Sequence, residues 1–232
     1  MRADRLALGA LAAWCAPAAA PVVPAAARLI GVPTRLAQPE GIALTFDDGP
    51  HRDGTPAVLE VLRDAGVTAT FFLVGEQVER MPSLAREIAV AGHAVGVHGY
   101  RHTLLLRRSP TALRDDFRRA AALIAGATDA EPSLYRPPYG VFSVPGLRIV
   151  RSLGWSPFLW SRWGRDWERS ATAASIAALA TRDLGGGDIV LLHDADHYSS
   201  AGSWSATAAA LPAVLEAVFQ TGEPLVSLSQ PR

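Results

Sequence analysis

The sequence predicts an α/β fold, a (β/α) barrel of about seven parallel strands, on two observations. From residue 41 onward, short apolar runs alternate with longer helix-like stretches, which is the order expected of a parallel sheet with helices packed outside it. The runs are apolar throughout instead of alternating with polar residues, as in strands that are covered on both faces.

Seven short runs, rich in β-branched or aromatic residues, are the predicted strands. In chain order they are IALTF, TATFFLV, AVGVH, SLYR, PFLW, DIVLLH and LVSL. An open doubly wound sheet is the alternative to a barrel. The glycine fingerprint of the dinucleotide-binding fold is missing, however, because GGGD at 185–188 precedes a strand and does not follow one. The count of elements therefore favours the barrel.

Six stretches between these runs are the predicted helices. Several begin with serine or threonine near a proline, and nearly all end at glycine, as helix starts and stops do. In ALRDDFRRAAALI the apolar residues Leu113, Phe117 and Ile124 fall on one helical face. The six stretches are TPAVLEVLRDAG, MPSLAREIAVAG, SPTALRDDFRRAAALIAG, VPGLRIVRSLG, SATAASIAALATRDLG and SATAAALPAVLEAVFQTG.

Composition narrows the function classes. A chain of 232 residues with 49% hydrophobic and 19% charged residues suits one globular, barrel-sized domain. Lysine plus arginine equals aspartate plus glutamate at 22 each, so no basic stripe favours nucleic-acid binding. The single cysteine, Cys15, permits neither an internal disulfide nor a cysteine cage for a metal. Any metal must therefore be held by histidine and carboxylate.

The first 38 residues differ from the rest and predict a leader and linker in front of a catalytic domain at 39–232. Arg2 and Arg5 precede the apolar stretch LALGALAAWCAPAAA, and small residues follow at 25–27, a pattern typical of an export signal. The apolar run before Pro17 is short for an ordinary membrane-spanning helix. We therefore expect a secreted or membrane-anchored, extracytoplasmic protein; an irregular alanine-rich arm is the alternative.

Reactive residues cluster at the carboxyl ends of the predicted strands. In a parallel barrel these ends share one rim, where active sites are built from the strand-to-helix loops. Residues far apart in the chain are therefore expected to converge. They are Asp47 and Asp48 after the first strand, His98 closing the third, Arg136 ending the fourth, Asp166 and Trp167 beyond the fifth, and His193 and Asp194 ending the sixth.

Two histidines and the paired aspartates predict a metal site. His98 and His102 in HGYRH are four residues apart, and one added carboxylate gives a two-histidine, one-carboxylate site with open positions. Two unrelated loop histidines are the alternative. Of Asp47 and Asp48, one can ligate a zinc-like cation while the other acts as base toward water, whose pKa the cation lowers toward about 7. The cation also offsets the repulsion between the two carboxylates.

Three further residues complete a hydrolytic set. His193 in LLHD is the candidate acid that protonates a leaving group, because its apolar flank and a nearby carboxylate tune imidazole in opposite directions; a buried structural histidine is the alternative. Arg136 in RPPYG can anchor a carboxylate, while the stiff prolines can aim the amide of Tyr139 at an oxyanion. Base, acid and oxyanion donor together describe hydrolysis of an acyl group.

Five ordered motifs, TFDDGP, HGYRH, RPPYG, GRDW and LLHD, resemble those of the polysaccharide deacetylase (NodB-homology) family of carbohydrate esterases. The resemblance covers about residues 41–228. It implies a distorted (β/α) barrel and a divalent metal, usually Zn²⁺, with Co²⁺ or Ni²⁺ as alternatives. It also implies removal of acetyl groups from polysaccharide, most often from N-acetylglucosamine units of chitin-like or peptidoglycan polymers. No protein partner is implied.

The resemblance implies a role for each matched residue. Two positions depart from the family pattern: Gly99 stands where a loop-steadying serine or threonine is usual, and Trp163 stands where an additional aspartate is common. The implied roles are Asp47 as base, Asp48 with His98 and His102 as metal ligands, Arg136 as the anchor of Asp47, the Tyr139 amide as oxyanion donor, His193 as acid tuned by Asp166, and Trp167 with Leu191 as walls of the acetyl-methyl pocket.

The remaining aromatic and histidine residues are expected to be peripheral. We expect His51 to face solvent and His93 to be structural, on the opposite rim, while Tyr198 and Trp204 are candidates for a sugar-stacking lid. Two other functions stay open, a non-catalytic sugar-binding or metal-binding module and a small-molecule amidohydrolase on the same fold. The presence of Asp47, His193 and the metal motifs favours the polymer deacetylase over both.

Overall fold

The computed structural model describes residue 20 and residues 24–229. Within them, seven parallel strands form one sheet, with helices between the strands. The strands are β1 (Ala43–Asp47), β2 (Thr70–Leu73), β3 (Ala94–Val97), β4 (Leu134–Tyr135), β5 (Ser156–Pro157), β6 (Arg162–Trp163) and β7 (Ile189–His193). The helices are α1 (Pro24–Leu29), α2 (Gly54–Asp64), α3 (Gly75–Arg80), α4 (Pro82–Val90), α5 (Pro110–Thr128), α6 (Val144–Ser152), α7 (Ala173–Ala180) and α8 (Ser203–Gln220).

The order of strands across the sheet is β5-β4-β3-β2-β1-β7-β6, and all neighbours run parallel. The first strand therefore lies near the middle, between β2 and β7. Its register pairs Asp47 with Phe72 on one side and with His193 on the other. Two residues that are remote in sequence become direct neighbours at the carboxyl end of the sheet.

The sheet curls because its two outer strands are joined by a short connection. A flat sheet of seven strands would hold its outer strands about 29 Å apart, at about 4.8 Å between neighbours. Residues 158–161 alone connect β5 to β6, and such a segment reaches at most about 18 Å. The two edges are thereby drawn together, and the predicted barrel is confirmed in this distorted, incompletely hydrogen-bonded form.

Two details of the strand prediction are wrong. The run LVSL is not a strand of the sheet, since Leu225 makes only an isolated bridge to Ile42 and Leu228 donates its amide hydrogen to Thr70 Oγ1. The missing strand is β6, whose two residues, Arg162 and Trp163, are too few to give a periodic signal. Asp166 therefore follows the sixth strand, and His193 ends the seventh.

Helix α5 illustrates how local signals and the core agree. Ser109 caps its first turn by accepting from the amide of Ala112, and Pro110 occupies the first turn, where its missing N–H costs nothing. Its predicted apolar face is buried, with Phe117 packing on Tyr135 of β4 at 4.7 Å between ring centroids. The short helix α3 was not predicted, because GEQVER has too few apolar residues for a helical stripe.

The described part of the predicted leader packs against the barrel. Ala27 and Val32 are buried, the carbonyl of Pro33 accepts from the amide of Leu159, and Arg35 forms an ion pair with Asp188. The basic residues, the cysteine and all but the last residue of the apolar stretch of the predicted export signal lie outside the described residues. Within the described range, no helix combines the length and hydropathy needed to span a membrane. The boundary at residue 38 and export itself stay predictions.

Candidate active site

The first strand brings two adjacent carboxylates to one cleft. Asp47 is the last residue of β1, and Asp48 follows it with a φ of 79°, in the left-handed region. Successive side chains of an extended strand point to opposite faces. The left-handed turn at Asp48 breaks that alternation, and both carboxylates line the same cleft. Both are almost fully buried, so cationic partners are needed beside them.

Asp48 lies between the two histidines of the HGYRH loop. Its Oδ1 is 3.4 Å from Nε2 of His98 and 3.3 Å from Nε2 of His102. The Nδ1 of His98 bonds to the carbonyl of Arg136 at 2.8 Å and must donate there, which leaves Nε2 as the ring nitrogen that faces Asp48. Burial alone would raise the pKa of Asp48, but His98, His193 and His102 hold that pKa well below its ordinary value.

A divalent cation fits these three residues. One carboxylate oxygen and two imidazole nitrogens lie within 4.8 Å of one another, and this donor set is one that zinc accepts. Within the described residues, the buried Oδ1 of Asp48 has no hydrogen-bond partner, a costly state that a cation would relieve. Burial lowers the pKa of His102 to about 4, which keeps its ring neutral and able to ligate near pH 7.

Arg136 holds Asp47 in place from behind the cleft. Its fully buried guanidinium donates to Asp47 Oδ1 at 2.7 Å, to Thr45 Oγ1 at 2.8 Å and to the carbonyl of Leu159 at 3.1 Å. A planar guanidinium with several fixed acceptors has little rotational freedom. Asp47 is therefore oriented rigidly, with its Oδ2 3.8 Å from Nε2 of His98.

His193 faces Asp47 from the neighbouring strand and is itself tethered. Its Nδ1 lies 2.9 Å from Asp166 Oδ1, and its amide donates to Asp166 Oδ2 at 2.6 Å. Thr207 also donates to Asp166 Oδ2, at 2.9 Å. Burial by itself would lower the pKa of His193, but the charge and hydrogen bond of Asp166, with the charges of Asp48 and Asp47, raise it to about 10. The ring is thus a cation near neutral pH, with its Nε2–H uncommitted to Asp166.

A cleft of about 270 Å³ unites the predicted site residues. Arg136 and Asp166 lie behind its wall, in contact with Asp47 and His193. The structure therefore brings all ten predicted residues together, while their catalytic roles stay predictions. The cleft is lined by Asp47, Asp48, His98, His102, Tyr139, Gly140, Trp160, Trp167, Leu191, His193, Tyr198 and Ser199.

Two aromatic residues shape the cleft, one beside His193 and the other beside His102. Trp167 stands at 80° to the ring of His193, with 5.6 Å between centroids. Tyr139 has a φ of 60° within the short 3₁₀ turn Pro138–Gly140, and the residue remains 57% exposed. Its ring meets the ring of His102 edge-on at 4.5 Å. The left-handed backbone at Tyr139 is a strained conformation of the kind that clusters at functional sites.

The HGYRH loop is steadied by Asp116, a residue that was not predicted from the sequence. Gly99 has a φ of 86°, which favours glycine over serine or threonine. In place of a hydroxyl, Asp116 of α5 accepts from the amide of Tyr100 at 2.7 Å and from Arg108 at 3.2 Å. An aspartate on the buried face of a helix was the available signal.

The second departure, Trp163, belongs to a row of indole rings. Its ring lies 5.8 Å from that of Trp160 and 6.2 Å from that of Trp167. Trp167 in turn packs on His193. A carboxylate at position 163 would occupy the middle of this aromatic row, so the substitution is consistent with its surroundings.

The expectation that His51 faces solvent is wrong. His51 is only 8% exposed, and its Nδ1 accepts from the amides of Gly54 at 2.9 Å and Asp53 at 3.2 Å. Its Nε2 lies 3.1 Å from Asp196 Oδ1, and His197 packs on its ring. These groups could surround an ion, but two donors at Nδ1 keep the proton on Nε2. The cluster therefore joins the loop after β1 to the loop after β7.

The other peripheral residues have distinct surroundings. His93 lies in a separate cleft and its Nδ1 accepts from the amide of Ala69 at 3.1 Å. Of the two lid candidates, Trp204 packs near His51 at 6.0 Å, whereas Tyr198 lines the active-site cleft.

Comparisons with known proteins agree with the fold and identify a family. The sequence model named Polysaccharide deacetylase matches residues 36–158. The chain is 34% identical over 192 residues to a peptidoglycan-N-acetylglucosamine deacetylase of Bacillus cereus, covering 82% of this chain and 86% of that protein. It is 35% identical over 183 residues to a chitooligosaccharide deacetylase of Azorhizobium caulinodans, covering 76% and 84%. The solved Bc1960 peptidoglycan N-acetylglucosamine deacetylase superimposes with a TM-score of 0.76 at 28% identity, covering 85% of this chain and 88% of that one.

Proposed function

The chain belongs to the polysaccharide deacetylase family of metal-dependent hydrolases. From this premise we propose that it removes N-acetyl groups from N-acetylglucosamine units of an extracytoplasmic glycan. The proposal is carried by one cleft, in which Asp47, held by the buried Arg136, faces His193, held by the buried Asp166. Beside them lie two histidines and a carboxylate that are able to bind a cation. Peptidoglycan and chitin-like chains are the proposed substrates, because the relatives are named for them.

Asp48, His98 and His102 would hold the cation, for which we propose Zn²⁺, with Co²⁺ or Ni²⁺ as alternatives. When bound there, the ion would polarise the acetyl carbonyl and lower the pKa of water. Their ligand atoms lie close to one another, which supports these three residues as the ligands.

Asp47 is the proposed general base. Its carboxylate accepts a proton from the attacking water, and Arg136 prevents it from rotating away. The amide of Tyr139 is the proposed donor to the oxygen that gains negative charge, since a rigid loop pre-orients it. Trp167 and Leu191 enclose the acetyl methyl group at the apolar side of the cleft.

His193 is the proposed general acid. Its Nε2–H donates to the departing nitrogen, which must be protonated because an amine leaves far more readily than an amide anion. Asp166 keeps His193 charged until that transfer.

Acetate release tests the proposal directly. The purified protein, loaded with Zn²⁺, is incubated with chitooligosaccharides, peptidoglycan and acetylated xylan, with and without a chelator. We expect acetate from the first two, and we expect the chelator to stop its release. If the metal-loaded protein releases acetate from none of the three, the data would instead favour a binding module or a small-molecule hydrolase.

Replacing Asp166 by asparagine is expected to move the alkaline limit of activity to lower pH. The folded-state pKa of His193, about 10, lies above its ordinary value of 6.5. The Asp166 pair therefore stabilises the fold fully below pH 6.5 and loses this effect as pH rises through the folded pKa. Without the charge of Asp166, His193 loses its proton earlier, and the alkaline fall in kcat should shift by about one pH unit or more.

The control for this change is Glu168→Gln, which removes a negative charge two residues away on the partly exposed ion pair with Arg165. Its kcat should fall at the same pH as that of the unmodified protein. An alkaline limit that is the same in Asp166→Asn and in the unmodified protein would contradict the pairing of Asp166 with the acid.

A further inference from the structure

The two proposed imidazole ligands are held in different ways. Nδ1 of His98 bonds to the carbonyl of Arg136 at 2.8 Å, the usual arrangement by which a metal-binding histidine is oriented. His102 has no such tether: within the described residues, its buried Nδ1 finds no hydrogen-bond partner in another residue. Something other than a hydrogen bond must therefore fix the direction of the His102 ring.

The ring of Tyr198 supplies a flat surface against His102. The two rings are nearly parallel, at 13°, and their centroids are 4.4 Å apart. Tyr139 adds an edge contact to the His102 ring at 4.5 Å. Stacked and edge-on arrangements are the favoured geometries of aromatic pairs. Contacts with two tyrosine rings therefore restrict how the His102 ring can turn.

Tyr198 is itself held firmly at its hydroxyl. The hydroxyl donates to Glu76 Oε1 at 2.7 Å and accepts from Gln77 Nε2 at 2.9 Å. Two hydrogen bonds to neighbouring residues of α3 thus fix the position of the phenol.

The anchor of Tyr198 is joined to the loop that carries the ligands. Glu76 and Gln77 lie in the first turn of α3, whose Gly75 amide donates to the carbonyl of Gly99 and whose Glu76 amide donates to the carbonyl of Tyr100. Both acceptors belong to the HGYRH loop. Movement of α3 would therefore carry the loop and the tyrosine anchor together, which keeps the stack on His102 intact.

We propose that Tyr198 is a positioning residue for the cation site, which orients His102 by stacking on it where His98 uses a hydrogen bond. This inference rests on the proposed metal-dependent function. It concerns a residue from the loop after β7, which the sequence suggested only as part of a sugar-stacking lid. The expected consequence is that loss of the ring weakens cation binding even when no sugar is present.

Zinc affinity of the metal-free protein tests the proposal. Zn²⁺ is titrated in competition with a chromophoric chelator, without substrate, for the unmodified protein and for Tyr198→Ala, Tyr198→Leu and Tyr198→Phe. Loss of an outer partner of a metal-binding histidine typically costs 10–100-fold in affinity. We expect Kd to rise by about this factor in Tyr198→Ala and Tyr198→Leu, and by less in Tyr198→Phe, which keeps the ring.

Two further readouts separate positioning from general loosening. The visible absorption of the Co²⁺-loaded protein should change in Tyr198→Ala and Tyr198→Leu and persist in Tyr198→Phe, because it reports ligand geometry. Phe219→Leu is the control, since it removes a half-exposed aromatic ring of α8 that does not line the cleft and should leave zinc affinity unchanged. Tyr198→Leu keeps apolar bulk in place, so it remains informative if the alanine variant folds poorly.

The outcomes are distinct. If the unmodified protein binds zinc and Tyr198→Leu binds it equally well with the same Co²⁺ spectrum, the positioning role is wrong and the proposed deacetylase function stands. If the unmodified protein binds no zinc at all, both the positioning role and the proposed metal site are overturned.

Discussion

Asp47→Asn is expected to lower kcat for acetate release by about 10²–10⁴-fold, the usual contribution of a general base, while Zn²⁺ remains bound. An amide oxygen can still accept the hydrogen bond from Arg136, so the side chain keeps its place. It cannot take a proton from water, however, and the proposed first proton transfer is lost. Steady-state kinetics with chitooligosaccharides, together with elemental analysis for zinc, measures both quantities.

The same substitution leaves the fully buried charge of Arg136 without its counter-ion, and breaking such a pair commonly costs about 3–5 kcal/mol of stability. Kinetics are therefore recorded well below the thermal unfolding midpoint, which circular dichroism measures for each variant. Asp64→Asn makes the same chemical change on an exposed side chain and should leave kcat unaltered. A folded Asp47→Asn protein with an unaltered kcat would rule out Asp47 as the base.

His102→Ala and His98→Ala are expected to abolish stoichiometric zinc binding, and acetate release with it. Each change deletes one of the three proposed ligands, a larger loss than the 10–100-fold caused by removing an outer partner. His98→Ala also leaves the carbonyl of Arg136 without the hydrogen bond that it accepts from Nδ1 of His98, so we expect it to disturb the site beyond the loss of one ligand. Zinc content after dialysis, and kcat for acetate release with added Zn²⁺, are measured for both variants.

His93→Ala is the matched control for these variants. It removes another buried imidazole, which lies away from the active-site cleft and accepts a hydrogen bond from the amide of Ala69. Any effect of a lost buried side chain on stability is thereby measured without the loss of a proposed ligand. Zinc content and kcat of His93→Ala should equal those of the unmodified protein. Full zinc occupancy in His102→Ala after dialysis would exclude His102 as a ligand.

The rim of the sheet could be predicted from the sequence because strand ends are local features. Asp47, His98, Arg136 and His193 all directly close or follow apolar runs, and parallel strands must present those ends at one edge. The choice of residue types then pointed to hydrolysis of an acyl group. The order of motifs matched a family whose membership the comparisons confirm.

The lateral order of strands and the small elements were not predictable in this way. A periodic pattern of apolar residues can be recognised only over several residues, so β6, with two residues, was not predicted. The apolar run at 225–228 was predicted to be a strand, but in the structure it makes only an isolated bridge to the sheet. His51 was placed in solvent for a related reason. A turn that follows glycine and proline is expected to be exposed. In the structure, however, the loop after β7 folds over His51 and buries its ring.

The sequence by itself determined the class of fold, the edge of the sheet that carries the candidate site and the residue types available there. Each of these depends on short segments of the chain. Tertiary structure alone decided which of them meet: Asp47 beside His193 through the pairing of β1 with β7, and Tyr198 stacked on His102. Those contacts depend on strand order, sheet curl and loop packing. All three are set by the burial of the whole core, and no local pattern encodes them.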